Sequence, residues 1–141
     1  MKKYQSERVM NRNTLLKDGD YESTKQVFER IATYIPNAQI LAELNDKKEI
    51  IYHTSKDILK DIESVGDGLI SLGLEDKHIA LLAENSYRYL ICDMSIAGGV
   101  GVVIPIDKDA EDNLLVTLLE KCEADAIICS AYLIKKIFLQ T

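Results

Sequence analysis

From His78 onward the sequence alternates between short apolar runs and longer helical stretches, and this alternation restricts the fold more than any other feature. "HIALLA" (78–83), "VGVVIPI" (100–106) and "AIIC" (126–129) are almost continuously apolar, the pattern of strands covered on both faces. The stretch behind the first run is headed by Asn85 or Ser86 as a cap and is apolar nearly all round from Tyr87 to Ala97. Its small residues Cys92, Ser95 and Gly99 share one side, which predicts a core helix lying close against a sheet. Asp109 and Asp112 are expected to open the next helix, with Leu115, Leu118, Leu119 and Cys122 inward. Ser130 is read as the cap of a last helical stretch, "AYLIKKIFLQ", and Pro105 as the exit of the second strand. Such an order implies parallel strands and right-handed crossovers. The fold class expected is α/β, a layered parallel sheet flanked by helices and preceded by a β-hairpin.

The hairpin comes from "QILAEL" (39–44) and "EIIYHT" (49–54), two β-like runs separated by Asn45-Asp46-Lys47-Lys48. That loop has no glycine, so its turn type stays open. Before it, Ser23 and Gln26 form an S-x-x-Q capping box ahead of a helical face of Val27, Phe28, Ile31, Tyr34 and Ile35. Pro36-Asn37 stops that helix. After the hairpin, Thr54 with Asp57 signals a second start. Ile58, Ile62, Val65, Leu69 and Leu72 then follow at spacings of 4, 3, 4 and 3, one apolar stripe. Gly66 and Gly68 weaken this helix by roughly 1 kcal/mol each and leave bare backbone for a neighbour, while Gly73 suits the position after its end. The organisation expected is a polar arm over 1–22 and an α/β subdomain over 23–141.

Composition narrows the functional classes. The 141 residues fit one domain, and such a chain buries roughly two-thirds of its unfolded surface. Seventeen basic against 23 acidic residues give a net charge of −6 with no basic patch, which argues against a nucleic-acid partner. Cys92, Cys122 and Cys129 are an odd number in apolar context, so reduced, buried thiols in a cytoplasmic protein are expected. The N-terminus lacks the apolar region of a secretory signal. No apolar run approaches the ~18 residues that cross a bilayer.

No catalytic, cofactor-binding or metal-binding residue can be assigned directly. Gly98-Gly99-Val100-Gly101 follows a helix and precedes a strand, the reverse of a phosphate loop. Ser71 and Ile104 occupy the third position of the two Gly-x-Gly runs, so helix termination and close packing explain the glycines better. "DKDAED" (107–112) has Asp112 where a calcium loop needs glycine, and reads as a solvated helix start. His53 and His78 sit at strand ends, read as surface-facing, without partners at metal-ligand spacing. A nucleophile pair of Cys129 and His78 stays open, as does a small redox or hydrolytic enzyme using Cys92 or Cys129, although inert thiols explain the context more simply.

Three consecutive pieces, "LISLGLEDKHIALLAEN", "SYRYLICDMSIAGG" and "VGVVIPID", together with "NLLVTLLEKCEADAIIC", resemble the start of the adenylate-forming (AMP-binding) superfamily. That family has an "L-G-L/V" helix end, a "V-A-I/L-L" strand and an Asn-led helix with an aromatic residue. "A-G-A-V-x-V-P-L/I-D/Y" follows, and later "L-x-x-I-L-x-D-S-x-A-K-x-I-I". Glu84-Asn85 followed by Tyr87 and Tyr89 looks most like the long-chain fatty acid branch, "E-N-R-P-E-W". Here Ser86 and Tyr87 replace Arg and Pro, Tyr89 stands for Trp, and Gly99 for the usual alanine.

The resemblance implies the N-terminal subdomain of an acyl-CoA synthetase, ending before the phosphate loop. It implies a parent that forms an acyl-adenylate and then an acyl-CoA from ATP, magnesium and coenzyme A. The phosphate loop, the adenine and ribose site and the C-terminal catalytic lysine of such enzymes have no counterpart in these residues. The implied role is therefore supporting, with the remainder of the parent as partner and self-association through an exposed sheet edge expected. A stand-alone α/β binding or dimerisation module is the alternative.

Overall fold

The computed structural model describes residues 23–138; the polar arm expected over 1–22 lies outside them, as do the last residues of the final helical stretch. Helix α1 (Thr24–Tyr34) begins at Ser23, whose Oγ accepts from the Gln26 N–H at 3.4 Å. The hairpin follows as β1 (Gln39–Leu44) and β2 (Ile50–Thr54), antiparallel, with a bulge between Gln39 and Leu41. Helix α2 (Ser55–Ser71) carries a full capping box, Thr54 with Asp57. Then come β3 (Lys77–Leu82), α3 (Tyr87–Ser95) and a widened turn over Ile96–Val100. Next are β4 (Gly101–Ile106), α4 (Asp112–Lys121) and β5 (Ala126–Cys129), and a short helical end closes the described chain: a 3-10 turn, Ala131–Leu133, running into α5 (Ile134–Phe138).

The strand-and-helix alternation produces the parallel sheet it implies. Its order is β4-β3-β5, with β3 paired in parallel on both sides. Alternate residues of β3 serve opposite layers. Ile79 packs with Leu69 of α2 and with Ile96 and Val100. Ala80 and Leu82 pack with Ile106, Leu115 of α4 and Leu133. Ile79, Leu81 and Leu82 are at most 1% exposed, and each contributes about 1.5–3 kcal/mol by burial. A third cluster, Ile58, Ile62 and Ile91 with Phe28 and Leu41, joins α1, the hairpin, α2 and α3.

Several expectations are corrected by what each residue can reach. Strand β4 lies at the edge of the sheet as described, so Val102 is 51% exposed and Pro105 sits within the strand, where an edge tolerates it. Leu72 leaves the α2 stripe because it is the C-cap, and it is 76% exposed. Helix α4 starts at Asp112; Asp109 instead belongs to a preceding turn in which its N–H donates to Asp107 Oδ1 at 2.9 Å. Helix α3 buries only Ile91 and Ser95 fully. Of its small residues, Ser95 meets helix α2, with Oγ 2.8 Å from the Ile62 carbonyl, whereas Gly99 is exposed. The three thiols are free and half-buried rather than buried. Of the two glycines within α2, Gly66 faces Val100, while Gly68 faces open space.

Gly99 within the widened turn and Gly101 just after it serve termination and close packing. Gly99 takes φ 137° where the chain kinks, and a Cβ on Gly101 would lie 2.3 Å from the Lys77 carbonyl oxygen. Gly73, at φ 78°, closes α2 with a Schellman motif: its N–H donates to Ile70 and that of Leu74 to Leu69. The hairpin turn dispenses with glycine because Asn45 replaces it chemically. Asn45 Oδ1 accepts from the N–H groups of Lys47 and Glu49, both at 2.9 Å, and Lys48 takes the left-handed φ of 61°.

Three outcomes follow for urea denaturation. Asn45→Ala removes both acceptor contacts and lowers stability by about 1–2 kcal/mol, while Lys48→Gly relieves the left-handed strain and raises it by about 0.5–1 kcal/mol. Gly101→Ala forces backbone against backbone at the β3–β4 pair, and a loss of about 3 kcal/mol or more is expected.

Candidate functional site

The chain leaves β3 toward the α2 and α3 layer and leaves β5 toward the opposite layer, where Leu133 packs with Leu115. Where neighbouring parallel strands send their chains to opposite faces, a crevice opens at their carboxyl ends. The crevice here is a cleft of about 640 Å³ between α3 and the chain following β5. Leu81, Tyr89 and Ile128 form apolar walls; Glu84, Arg88 and Tyr132 supply polar groups; Cys92 and Cys129 line it as well. A second hollow of about 300 Å³ between the ends of β3 and β4 shares Glu84 and Tyr89 and adds Lys108.

Glu84 is the polar centre of this edge. Ser130 Oγ donates to Glu84 Oε2 at 2.5 Å, tying the chain after β3 to the chain after β5. That hydroxyl above all holds the Glu84 carboxyl below the usual carboxylate range, with its own backbone amide, Tyr132 and Lys108 acting the same way. Burial first, and then the Glu84 carboxylate, raise the Tyr132 phenol. Ser130 thus spends its side chain on Glu84 and makes no capping hydrogen bond. The thiols are ill suited to nucleophilic work, since burial pushes both Cys92 and Cys129 up and a thiolate is the reactive form.

The residues weighed from sequence fall elsewhere. The glycine run lies at the amino end of β4, the end of the sheet away from the cleft. Cys129 pairs in register with Leu82, so it sits four residues along β3 from His78, about 13 Å away, and the two do not form a nucleophile pair. His78 Nδ1 instead lies 2.7 Å from the Cys122 carbonyl. His53 is not surface-facing: its ring stacks on Tyr87 at 3.6 Å and 7°, with Nε2 3.0 Å from Glu43 Oε1. Tyr87 in turn donates to Asp61 Oδ2 at 2.7 Å, which fastens the hairpin to α2 and α3. Among the described residues no group of three or more His, Cys, Asp or Glu side chains could hold a metal ion. No helix among them is long and apolar enough to cross a membrane. Glu84 stood out in sequence only through the Glu84-Asn85 pair of the family resemblance; its link to Ser130, 46 positions away, has no local signal.

Solved structures share this architecture. The chain superposes on the inhibitor-bound N-terminal domain of FACL13 from Mycobacterium tuberculosis with a TM-score of 0.72 and 18% identity, covering 84% of this chain and 29% of that one. A Mycobacterium tuberculosis fatty acyl CoA synthetase gives 0.72 and 19%, with coverages of 83% and 23%. The NpsA N-terminal subdomain from Klebsiella oxytoca gives 0.65 and 14%, with 79% and 28%. At these identities the likeness defines the fold: an α/β layer like the N-terminal subdomain of acyl-CoA synthetases and related adenylate-forming enzymes. The chain spans less than a third of the length of each of these structures. No protein-family model and no curated protein matches the sequence.

The Glu84–Ser130 contact makes a pH prediction. A carboxyl lowered in the folded state contributes stability above its unfolded pKa and loses it as pH falls through the folded value. Ser130→Ala removes the leading cause of the lowering. Carboxyl-detected NMR titration should show Glu84 moving up toward 4.5, its ordinary value, with acid unfolding less dependent on this group.

Proposed function

We propose that the chain is the N-terminal part of an ATP-dependent acid–CoA ligase, with a long-chain fatty acid as the acid. In this reading the parent forms an acyl-adenylate with ATP and magnesium and then transfers the acyl group to coenzyme A. The chain itself has a supporting role in a cytoplasmic enzyme, with the remainder of the parent as its partner and the phosphate loop beyond residue 141. The observation that carries the reading is the superposition of 84% of the chain on a ligase-type N-terminal domain. The motifs "LISLGLEDKHIALLAEN" and "VGVVIPID" support it, since they fall on the end of α2, on β3 and on β4, the helix-strand-strand order in which the resembling family carries them. "E-N" before an aromatic helix start is what favours the long-chain branch.

Adenylation requires cations and aligned donors that stabilise charge on the transferring phosphoryl group. The cleft at the carboxyl ends of β3 and β5 is lined by Glu84 and Arg88, whose opposite charges offset each other rather than supply a cationic clamp for a triphosphate. The chain alone is therefore expected to be inactive. Purified chain incubated with ATP, magnesium and a panel of long-chain fatty acids should give no acid-dependent pyrophosphate exchange and no calorimetric ATP binding. Turnover or nucleotide affinity above background overturns the supporting role. A coding sequence that continues past Thr141 into a Thr/Ser/Gly-rich loop ending in Pro-Lys supports the ligase reading. A coding sequence without one favours the stand-alone module.

A further inference from the structure

The outer face of the hairpin is apolar and uncovered in the described structure. Cross-strand pairing places Ala42 beside Tyr52 and Leu44 beside Ile50 on that face, while Leu41 on the inner face packs with the Ile58 cluster. Leu44, Ile50 and Tyr52 are 66%, 58% and 53% exposed, and Ile40 at the bulge adds a fourth large apolar side chain at 42%. No charged side chain shares these register positions, although the chain carries a net charge of −6.

We infer that this face is a self-complementary interface that pairs two copies of the chain. The register supplies the shape. A two-fold axis lying between two stacked hairpins and parallel to their strands sets β1 of one copy over β2 of the other. Tyr52 then covers Ala42 of the second copy, and its own Ala42 receives the second Tyr52. Leu44 and Ile50 meet in the same reciprocal way, as an isologous contact requires. An axis perpendicular to the strands and level with the Ala42–Tyr52 pair would instead stack Tyr52 on Tyr52 and leave a void over the two alanines. The exposed patch amounts to roughly 500 Å² per copy, so two copies bury about 1,000 Å² in total, the lower bound for a specific interface. Area alone does not fix the affinity of such a dimer. Two copies of like net charge repel, so added salt strengthens the pairing. The inference does not rest on the ligase reading, and it places self-association on the hairpin face rather than on a sheet edge.

Sedimentation equilibrium of the purified full chain tests it, from about 1 µM to about 500 µM. The weight-average mass should rise from one chain toward two, more readily at higher salt. Tyr52→Ala and Ala42→Tyr should each weaken association by about tenfold or more, and the double variant, which exchanges the large and small positions, should recover it. Leu44→Lys, at an exposed position, should abolish pairing while far-UV dichroism stays unchanged, which keeps the test valid if Ala42→Tyr does not fold. A monomer at every concentration overturns the inference. So does association that Leu44→Lys leaves intact, or a double variant no better than the singles when all three fold.

Discussion

Burial of β3 on both faces is the constraint on which the rest of this structure depends. A strand with Ile79 and Leu81 facing one layer and Ala80 and Leu82 the other cannot be satisfied by a single helix layer. It demands helices above and below, and hence crossovers that leave the sheet in opposite directions. Helices α2 and α4 answer that demand from the two sides. The parallel pairing of β4 and β5 with β3 then leaves no backbone edge of the central strand open. The close β3–β4 approach at Lys77 and Gly101 tightens the same unit, because any side chain at residue 101 would collide with backbone.

The cleft is a consequence of that arrangement. Chains departing to opposite faces must separate, and the separation falls between β3 and β5, where Glu84 and Ser130 meet across it. The hydrogen bond therefore ties together the two loops that topology pulls apart. The same logic places the glycine run at the opposite end of the sheet. It lies where a helix returns to the sheet, at the amino end of β4, and its work is to turn and to pack.

Local chemistry was legible in the sequence wherever a residue's role depends on its near neighbours. The Thr54–Asp57 capping box and the Gly73 helix end rest on contacts within a few positions, and the hairpin strands pair across one short turn. The reading failed where the deciding contact is distant. Nothing near His53 announces that its ring will lie flat on Tyr87, and nothing near Ser130 announces Glu84. Exposure of β4 was missed for a related reason: an apolar strand looks alike in sequence whether it is central or at an edge, and only strand order separates the two cases. Leu72 satisfied the helical stripe by spacing, yet the helix ended beneath it.

The hairpin and the parallel sheet manage their apolar surface in contrasting ways. The sheet buries both faces of β3 and presents at its β4 edge a proline that cannot donate to a further strand. The hairpin has only two strands, and its inner face is held by Leu41 in the Ile58 cluster and by His53 against Tyr87 and Glu43. Those contacts fix its register, and a fixed register puts every second residue outward as a set. Had the outer set been polar, the hairpin would be complete as it stands. Because it is Ala42, Leu44, Ile50 and Tyr52, the contacts that anchor the inner face also assemble the outer face into one continuous apolar surface, and its exposure is a free-energy cost that only a covering surface removes.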